Sequence, residues 1–180
     1  MATVVKTWTV EDLLAMPDNG LRHELVRGEL IEMPPPGEEH GEIAANIAAL
    51  LRGPIKLAGR GRVLVESGAV ISRDPATVFG PDVSVMLGGT DVRPARGYAE
   101  RLPALVFEVV SPSDSAAAVH DKLETYLEAG VTIVVAVWPD RRQLTVGTQA
   151  ERWRVLSAQD VLDLGEIVPD LTLSIAEIFA

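Results

Sequence analysis

Two acidic residues stand in segments whose other residues predict buried β-strands. Glu108 interrupts the apolar run Ala-Leu-Val-Phe-Glu-Val-Val (104–110), and Asp82 opens the segment Pro-Asp-Val-Ser-Val-Met (81–86). Short runs of this composition are typical of strands that are covered on both faces. A buried carboxylate is costly unless a cation or hydrogen bonds compensate it. Two such acids on neighbouring strands therefore indicate a divalent metal ion between them.

A lysine on the next predicted helix supplies a third candidate group. On the strand that carries Glu108, alternation places Val106, Glu108 and Val110 on one face. On the helix that follows, an apolar stripe includes Val119 and Tyr126, and at about 100° per residue Lys122 lies beside it. Its four-carbon stem can carry the ammonium group to the edge of an acidic site.

These residue types suit the hydrolysis of a phosphodiester bond. That reaction needs a polarised phosphoryl oxygen, a generated hydroxide and neutralisation of charge on the leaving oxygen, all of which Mg²⁺ can supply. Mg²⁺ prefers oxygen ligands and keeps several waters, so two protein carboxylates are enough to hold it. A nearby lysine can orient the attacking water or stabilise the transition state.

Each candidate also has a simpler structural interpretation. Asp82 can be a turn residue, Glu108 can meet an arginine, and Lys122 can be a boundary lysine of an amphipathic helix. Two further residues are secondary candidates. Glu66 could approach the site from an adjacent strand or lie on an exposed edge. His40 could contact a phosphate, or simply cap or cover the start of a helix.

Ser111 is interpreted as a helix cap and not as a nucleophile. It begins a turn-forming Ser-Pro-Ser segment before the predicted helix. Nucleophilic serine catalysis needs a histidine base, and no histidine in the sequence stands in a triad-like context.

The composition bounds the class of protein. A chain of 180 residues with 47% apolar residues predicts one domain, residues 1–180, able to bury about 70% of its unfolded surface. The absence of cysteine excludes disulfides and thiolate metal sites. The sequence start lacks the apolar region of a secretory signal, so we expect a soluble cytoplasmic protein.

The net charge of −10 argues against non-specific binding to nucleic acid, which depends on lysine and arginine. It does not exclude a nuclease, because bound divalent ions reverse the field of an acidic site. A local basic cluster could still guide a strand, although solvated surface charges are the simpler interpretation. The candidate clusters are Arg93, Arg96 and Arg101, or Lys56, Arg60 and Arg62.

Periodicity and turn residues predict a mixed α/β fold around one sheet. We expect a helix capped by Thr9 and ending near Met16, and a β-hairpin over 23–33. Next in chain order we expect a helix over about 38–52, a strand over 62–72 and a turn over 74–80. The two acidic strands follow, with a mobile loop over 88–102 between them, and then a helix that ends at Ala129. The last predicted elements are a strand over 132–138, a hairpin formed by 142–147 and 153–156, and a short tail over 171–179.

The ordered set of motifs resembles the Uma2 family, formerly a domain of unknown function. That family belongs to the PD-(D/E)xK, or restriction-endonuclease-like, superfamily. The likeness extends along nearly the whole chain, and its segments are Glu24-Leu-Val-Arg-Gly-Glu-Leu30, Pro34-Pro-Pro-Gly-Glu-Glu-His40-Gly41, Pro81-Asp82, Glu108-Val-Val-Ser111, Lys122-Leu-Glu-Thr-Tyr126, Ala129-Gly130-Val131 and the ending Pro169 to Phe179.

The resemblance implies a restriction-endonuclease-like core, with a mixed central β-sheet flanked by helices and an N-terminal helix and hairpin. By motif, Asp82, Glu108 and the backbone carbonyl of Val109 would be metal ligands. In the plain superfamily motif the lysine lies two residues after the acid, a position that Val110 occupies here. The family takes its lysine from the next helix instead, and Lys122 matches that position.

The sequence therefore predicts a Mg²⁺-dependent endonuclease that hydrolyses DNA, with Mn²⁺ as a substitute ion. One alternative is a degenerate nuclease that acts as a binding or regulatory module, which the acidic composition favours. Another is a metal-dependent hydrolase of a small phosphate ester.

A homodimer is expected for two reasons. Restriction-like folds often pair to cut two strands, and Ile175, Ile178 and Phe179 are taken as exposed apolar residues that need cover.

Overall fold

The computed structural model describes residues 6–89 and 96–180 of the chain. Its helices are α1 (Val10–Leu14), α2 (Glu38–Leu57), α3 (Ala116–Ala129) and α4 (Ile175–Ile178). Its strands are β1 (Arg22–Val26), β2 (Glu29–Met33), β3 (Gly61–Val65), β4 (Ala69–Arg73), β5 (Ala76–Phe79), β6 (Val83–Leu87), β7 (Leu105–Val109), β8 (Ile133–Trp138), β9 (Gln143–Thr148), β10 (Arg154–Ser157), β11 (Val161–Asp163) and β12 (Thr172–Ser174).

A six-stranded mixed sheet forms the centre of the described structure. Its strand order is β10-β9-β8-β7-β6-β3, and within it β7 and β8 are parallel while the other neighbours are antiparallel. The helix α3 connects the two parallel strands, as a crossover between parallel strands requires. All five residues of β7 are buried, which confirms that the apolar run around Glu108 is a strand covered on both faces.

Each face of this sheet packs against a different layer. On one face, Leu105, Phe107 and Val109 of β7 join a core with the apolar side of α2 and with residues from the C-terminal segment. On the other face, Val106 and Val110 pack with α3 and with residues of β4 and β5. Glu108 belongs to this second face by alternation, so its side chain is directed toward the α3 layer, as predicted.

A second sheet of four strands, in the order β2-β1-β5-β4, carries the N-terminal hairpin. The hairpin turns at Arg27 and Gly28, whose φ angles are 51° and 83°. Two consecutive residues with positive φ form the tight turn that suits the twist of paired strands. The helix α1 packs on this sheet through Val10 and Leu13, and Thr9 caps it with a reciprocal capping box, as predicted.

The predicted strand over 62–72 is wrong as a single element. It is divided into β3, in the six-stranded sheet, and β4, in the four-stranded sheet. The chain changes sheet at Glu66, whose φ of 49° is incompatible with a continuous strand. Likewise, the predicted turn over 74–80 is mostly the buried strand β5.

Two helix boundaries also differ from the predictions. The helix α2 continues through Pro54 to Leu57, because Ile55 is buried in the core and tertiary packing outweighs the local cost of proline. The helix α3 is capped by Ser115, whose Oγ accepts a hydrogen bond from the Ala118 N–H at 3.1 Å. Ser111 is therefore not the cap; its N–H donates to Asp114 Oδ2 at 2.8 Å.

The C-terminal tail is part of the core, which corrects one premise of the predicted homodimer. Ile175 and Ile178 are fully buried, and Phe179 packs partly buried against the same core. These residues are covered by the chain itself because the tail lies against α2. They therefore provide no exposed apolar surface that requires a second copy.

Arg93 and residues 90–95 of the predicted loop lie outside the described residues. The other basic cluster, Lys56, Arg60 and Arg62, lies around the start of β3, where Gly61 pairs with Leu87. Across residues 6–89 and 96–180, no helix is both long and apolar enough to cross a membrane.

Candidate active site

Asp82 and Glu108 lie side by side because β6 and β7 are antiparallel neighbours. Val83 pairs with Phe107, so the register places Asp82, one residue earlier, level with Glu108, one residue later. The Val109 N–H donates to Asp82 Oδ2 at 2.7 Å. The exposed fractions of Asp82 and Glu108 are 6% and 9%, so both acids are buried, as the sequence predicts.

Both oxygens of Glu108 receive hydrogen bonds from α3. The Tyr126 hydroxyl donates to Oε1 at 2.8 Å, and Lys122 Nζ donates to Oε2 at 3.1 Å. Lys122 and Tyr126 are four residues apart on the helix and therefore lie on the same side of it. The predicted placement of Lys122 beside the apolar stripe is the one observed.

A second carboxylate holds the same ammonium group. Lys122 Nζ also donates to Glu24 Oε1 at 3.0 Å, and Glu24 is itself buried, with an exposed fraction of 6%. Burial alone would lower the pKa of Lys122, but the negative charges of Glu108 and Glu24 raise it overall. Lys122 is therefore a charged ammonium at neutral pH.

Negative charge exceeds positive charge around Glu108. Burial raises the pKa of Glu108 to about 7; Lys122 opposes this rise, and the charges of Asp82 and Glu24 add to it. Burial, followed by the charge of Glu108, raises the pKa of Tyr126, which stays a neutral hydrogen-bond donor. A cation that entered this site would relieve the repulsion among the carboxylates.

His40, on the first turn of α2, reaches the same place from the opposite layer. Its Nε2 lies 3.0 Å from Asp82 Oδ1, and Asp82 raises the pKa of His40 against the effect of burial. Within the described part of the chain, both ring nitrogens of His40 are buried without a well-aligned hydrogen-bond partner. His40 is thus neither a helix cap nor a surface histidine, but a buried neighbour of the acidic pair.

Glu66 does not join the buried acids. Its side chain is 42% exposed and pairs with Arg22 at 3.2 Å. Its backbone N–H donates to the Asp82 carbonyl at 3.1 Å, so it lies next to the site along the chain fold but directs its carboxylate outward. The exposed-edge interpretation fits this geometry.

Glu24 lies in the site although the sequence does not predict it there, and the same is true of the supporting residues Arg22 and Tyr126. Glu24 Oε1 accepts the Gly80 N–H at 2.7 Å, and Arg22 Nη2 donates to the Gly80 carbonyl at 3.3 Å. Two signals were available: Glu24 is an acid inside a predicted strand, and it begins a segment, Glu24 to Leu30, that resembles the family. Its partners Gly80 and Lys122 are 56 and 98 residues away, so no local pattern could identify them.

These groups line one cleft with a volume of about 320 Å³. Its walls include Glu24, His40, Asp82, Glu108 and Lys122. Among the described residues, no three acidic or histidine side chains are grouped closely enough to form a preassembled metal cage. Two adjacent carboxylates and an excess of negative charge nevertheless fit a hard cation that keeps part of its water shell.

Comparison with solved structures places this fold in a class. A crystal structure titled as a "putative nuclease belonging to DUF820" from Anabaena variabilis superimposes with a TM-score of 0.82 at 20% sequence identity, covering 95% of this chain and 97% of the other. The chain has a restriction-endonuclease-like α/β fold, with its mixed central sheet flanked by helices. A comparison with curated proteins found no match.

Residues 10–176 match the family described as "Uma2: Putative restriction endonuclease". The match covers most of the 180-residue chain. The protein belongs to the Uma2 family, as its sequence motifs predict.

Proposed function

We propose that this protein is a divalent-metal-dependent endonuclease that hydrolyses DNA phosphodiester bonds, with Mg²⁺ as its ion and Mn²⁺ as a substitute. The observation that supports this function is the convergence of Asp82, Glu108 and Lys122 in one cleft of a restriction-endonuclease-like fold. Two buried acids beside a buried lysine are costly for a purely structural role, because each charge loses its hydration.

Asp82, Glu108 and the backbone carbonyl of Val109 would hold the ion. A divalent cation bound there supplies Lewis-acid polarisation of a phosphoryl oxygen and a nucleophile at neutral pH. The protein holds these ligands in place through the Val109 N–H on Asp82 and the Tyr126 hydroxyl on Glu108. Preorganised ligands of this kind need little rearrangement during the reaction.

Lys122 provides positive charge where negative charge develops on the reacting phosphate. Its ammonium lies 3.1 Å from Glu108 and is 20% exposed, so it faces the cleft while remaining tied to the acids. In a site shielded from water, such a charge stabilises a transition state more strongly than it would in solvent.

His40 is the proposed contact for a phosphate oxygen next to the scissile group. It lines the same cleft, and Asp82 favours its protonated form, which donates hydrogen bonds. Glu66 is proposed to affect the site only indirectly, through its ion pair with Arg22.

A homodimer remains part of the proposal, on the ground that two copies would present two sites to two DNA strands. Light scattering over a tenfold dilution series tests this. A mass of 19.3 kDa at every concentration excludes the homodimer.

Cleavage of supercoiled plasmid DNA tests the function directly. We expect the wild type to cut in Mg²⁺ or Mn²⁺ and to stop when a chelator is added. Asp82→Asn and Glu108→Gln are expected to abolish cleavage and to weaken Mn²⁺ binding in calorimetry, since each removes one ligand charge. Glu32→Gln is the matched control, because Glu32 lines the same cleft but is exposed.

Equal Mn²⁺ affinity in the wild type, Asp82→Asn and Glu108→Gln would show that these acids are not the metal site. Hydrolysis of nucleotides without cleavage of polymers would indicate a small phosphate ester as substrate.

The net charge of −10 favours one second candidate, a degenerate nuclease that serves as a binding or regulatory module. In addition, Arg60 and Arg62 flank Gly61 at one end of β3, and Lys56 precedes them in the last turn of α2. Glu66, whose backbone N–H donates to the Asp82 carbonyl, is five residues beyond Gly61, or about 16 Å at the rise of a strand. Metal binding without any cleavage of DNA or nucleotides would support this candidate over the endonuclease.

A further inference from the structure

We propose that Glu24 is a positioning residue that keeps Lys122 in the cleft when Glu108 is engaged by the metal ion. The inference rests on the proposed function, and it assigns the N-terminal hairpin a part in the site. The carboxylate of Glu24 supplies the second of the two contacts that the Lys122 ammonium makes.

The two contacts have different consequences once an ion is bound. Lys122 Nζ is 3.1 Å from Glu108 Oε2 and 3.0 Å from Glu24 Oε1. Glu108 is a proposed metal ligand, and a carboxylate that shares its charge with a divalent cation attracts an ammonium group less. Glu24 is then the anchor that remains for Lys122.

Without that anchor, Lys122 has a route out of the cleft. It is 20% exposed, and its flexible stem can carry the ammonium to water, where a compact charge is strongly hydrated. When Glu24 retains Lys122, the ammonium group stays beside the reacting phosphate and does not have to lose a water shell during the reaction.

Two side chains of β1 hold both backbone polar groups of Gly80. Glu24 Oε1 accepts the Gly80 N–H at 2.7 Å, while Arg22, two residues earlier on the same face of β1, donates to the Gly80 carbonyl at 3.3 Å. Gly80 lies two residues before Asp82. The strand β1 thus contacts Lys122 through Glu24, and it contacts the segment that leads to Asp82 through Gly80.

The first test measures this contact without metal or activity. The chain has lysines only at positions 6, 56 and 122, so acetylation of Lys122 can be followed by mass spectrometry relative to exposed Lys56. The variant Glu108→Gln imitates loss of the Glu108 charge. We expect Lys122 to be acetylated at least about tenfold faster in the double variant Glu24→Gln/Glu108→Gln than in Glu108→Gln. A change in rate of about tenfold is what the loss of one hydrogen bond between charged groups would produce.

The matched control is Glu32→Gln/Glu108→Gln, which changes the same charge in the same cleft at an exposed residue and should match Glu108→Gln. Equal modification rates with and without Glu24 would overturn the proposal. If Glu24→Gln/Glu108→Gln does not fold, Glu24→Asp/Glu108→Gln replaces it. Aspartate is one methylene shorter than glutamate, so its carboxylate is withdrawn from Lys122 while the negative charge is kept.

The second test asks whether Glu24 acts through Lys122. We expect Glu24→Gln to lower kcat for plasmid cleavage about tenfold or more with little change in KM, and to slow the Lys122→Met variant by less than about twofold. Full additivity of the two substitutions would mean that Glu24 acts independently of Lys122 and would overturn the proposal. If the wild type cuts nothing, the endonuclease proposal fails, while the acetylation experiment still decides the role of Glu24.

Discussion

Three buried carboxylates, those of Glu24, Asp82 and Glu108, line one cleft, and two of them, Glu24 and Glu108, accept hydrogen bonds from the Lys122 ammonium group. Removing one member of such a cluster leaves charges without partners, and that penalty usually exceeds the net contribution of the intact pair. Burial, with a smaller contribution from the charges of Asp82 and Glu24, raises the pKa of Glu108 although Lys122 is within hydrogen-bond distance. The cluster is therefore expected to respond to metal, to pH and to single substitutions.

Lys122→Met should slow the proposed cleavage while leaving the protein folded. The methionine keeps the packing of the stem, but the charge near the reacting phosphate is lost, so we expect cleavage to slow about a hundredfold or more. Glu24 and Glu108 lose their shared cation, and the free energy of unfolding should decrease by about 1–3 kcal/mol. Single-turnover cleavage and urea unfolding measure the two effects.

Lys56→Met is the control for Lys122→Met, because Lys56 is exposed in the last turn of α2. It should cleave at close to the wild-type rate. Wild-type cleavage by Lys122→Met would return Lys122 to the class of ordinary boundary lysines.

Glu108 should make the stability of the metal-free protein depend on pH. Burial raises its pKa from 4.5 to about 7 in the folded state, so the folded state holds this proton more tightly than the unfolded state. The free energy of unfolding should then decrease as pH rises from 4.5 to about 7, by at most about 3 kcal/mol. Urea unfolding of the wild type and of Glu108→Gln across this window measures the effect, and the same slope in both would contradict the assignment.

At the scale of elements, the site depends on three structures outside the central sheet, one of which is α2 with His40 beside Asp82. The helix α3 presents Lys122 and Tyr126 to Glu108, and the strand β1 presents Arg22 and Glu24 to Gly80. The central strands β6 and β7 position the two acids and the backbone of Val109. Small changes in the start of α3 or in the N-terminal hairpin should therefore affect the site without touching its residues.

Ser115→Ala tests where α3 begins. Ser115 Oγ accepts the Ala118 N–H, and loss of such a cap typically costs about 1 kcal/mol of stability. Ser111→Ala is the matched control and should change stability by less than about 0.5 kcal/mol, because Ser111 uses its backbone N–H in the turn. Urea unfolding compares the two. A larger cost for Ser111→Ala would place the helix start at the earlier serine.

At the scale of the whole molecule, the tail over 171–179 closes one face of the core. Leu171, Leu173, Ile175 and Ile178 are all buried in the cluster that includes the α2 face of the central sheet. Asn46 of α2 donates to the Ile178 carbonyl at 3.2 Å. The tail thus belongs to the folding unit of the chain, and a homodimer would have to use another surface.

Ile178→Ala measures that role. Removing a fully buried isoleucine side chain should cost about 2–5 kcal/mol, whereas Leu57→Ala, at a residue that is 90% exposed, should cost less than about 0.5 kcal/mol. The urea midpoint of the Ile178→Ala variant should not change with protein concentration, because the lost contacts lie within one chain. A concentration-dependent midpoint would place Ile178 at an interface between copies.

The sequence by itself determined the strands of the two acids and the helix that follows Glu108. The strands of Asp82 and Glu108 follow from their apolar composition, and the direction of Glu108 toward α3 follows from alternation along one strand. The helical period placed Lys122 on the side of α3 that faces the sheet. These features depend on residues close together in the chain, so a local pattern contains them.

Only the tertiary structure decided which distant residues complete the site. Glu24 and His40 come from two segments remote from both acids, and the contacts that join them to Lys122 and Asp82 span up to 98 residues. The division of residues 61–73 between two sheets and the burial of the tail were likewise invisible in the sequence. The physical reason is the same in each case, because burial and charge pairing depend on what packs against a residue and not on its neighbours in the chain.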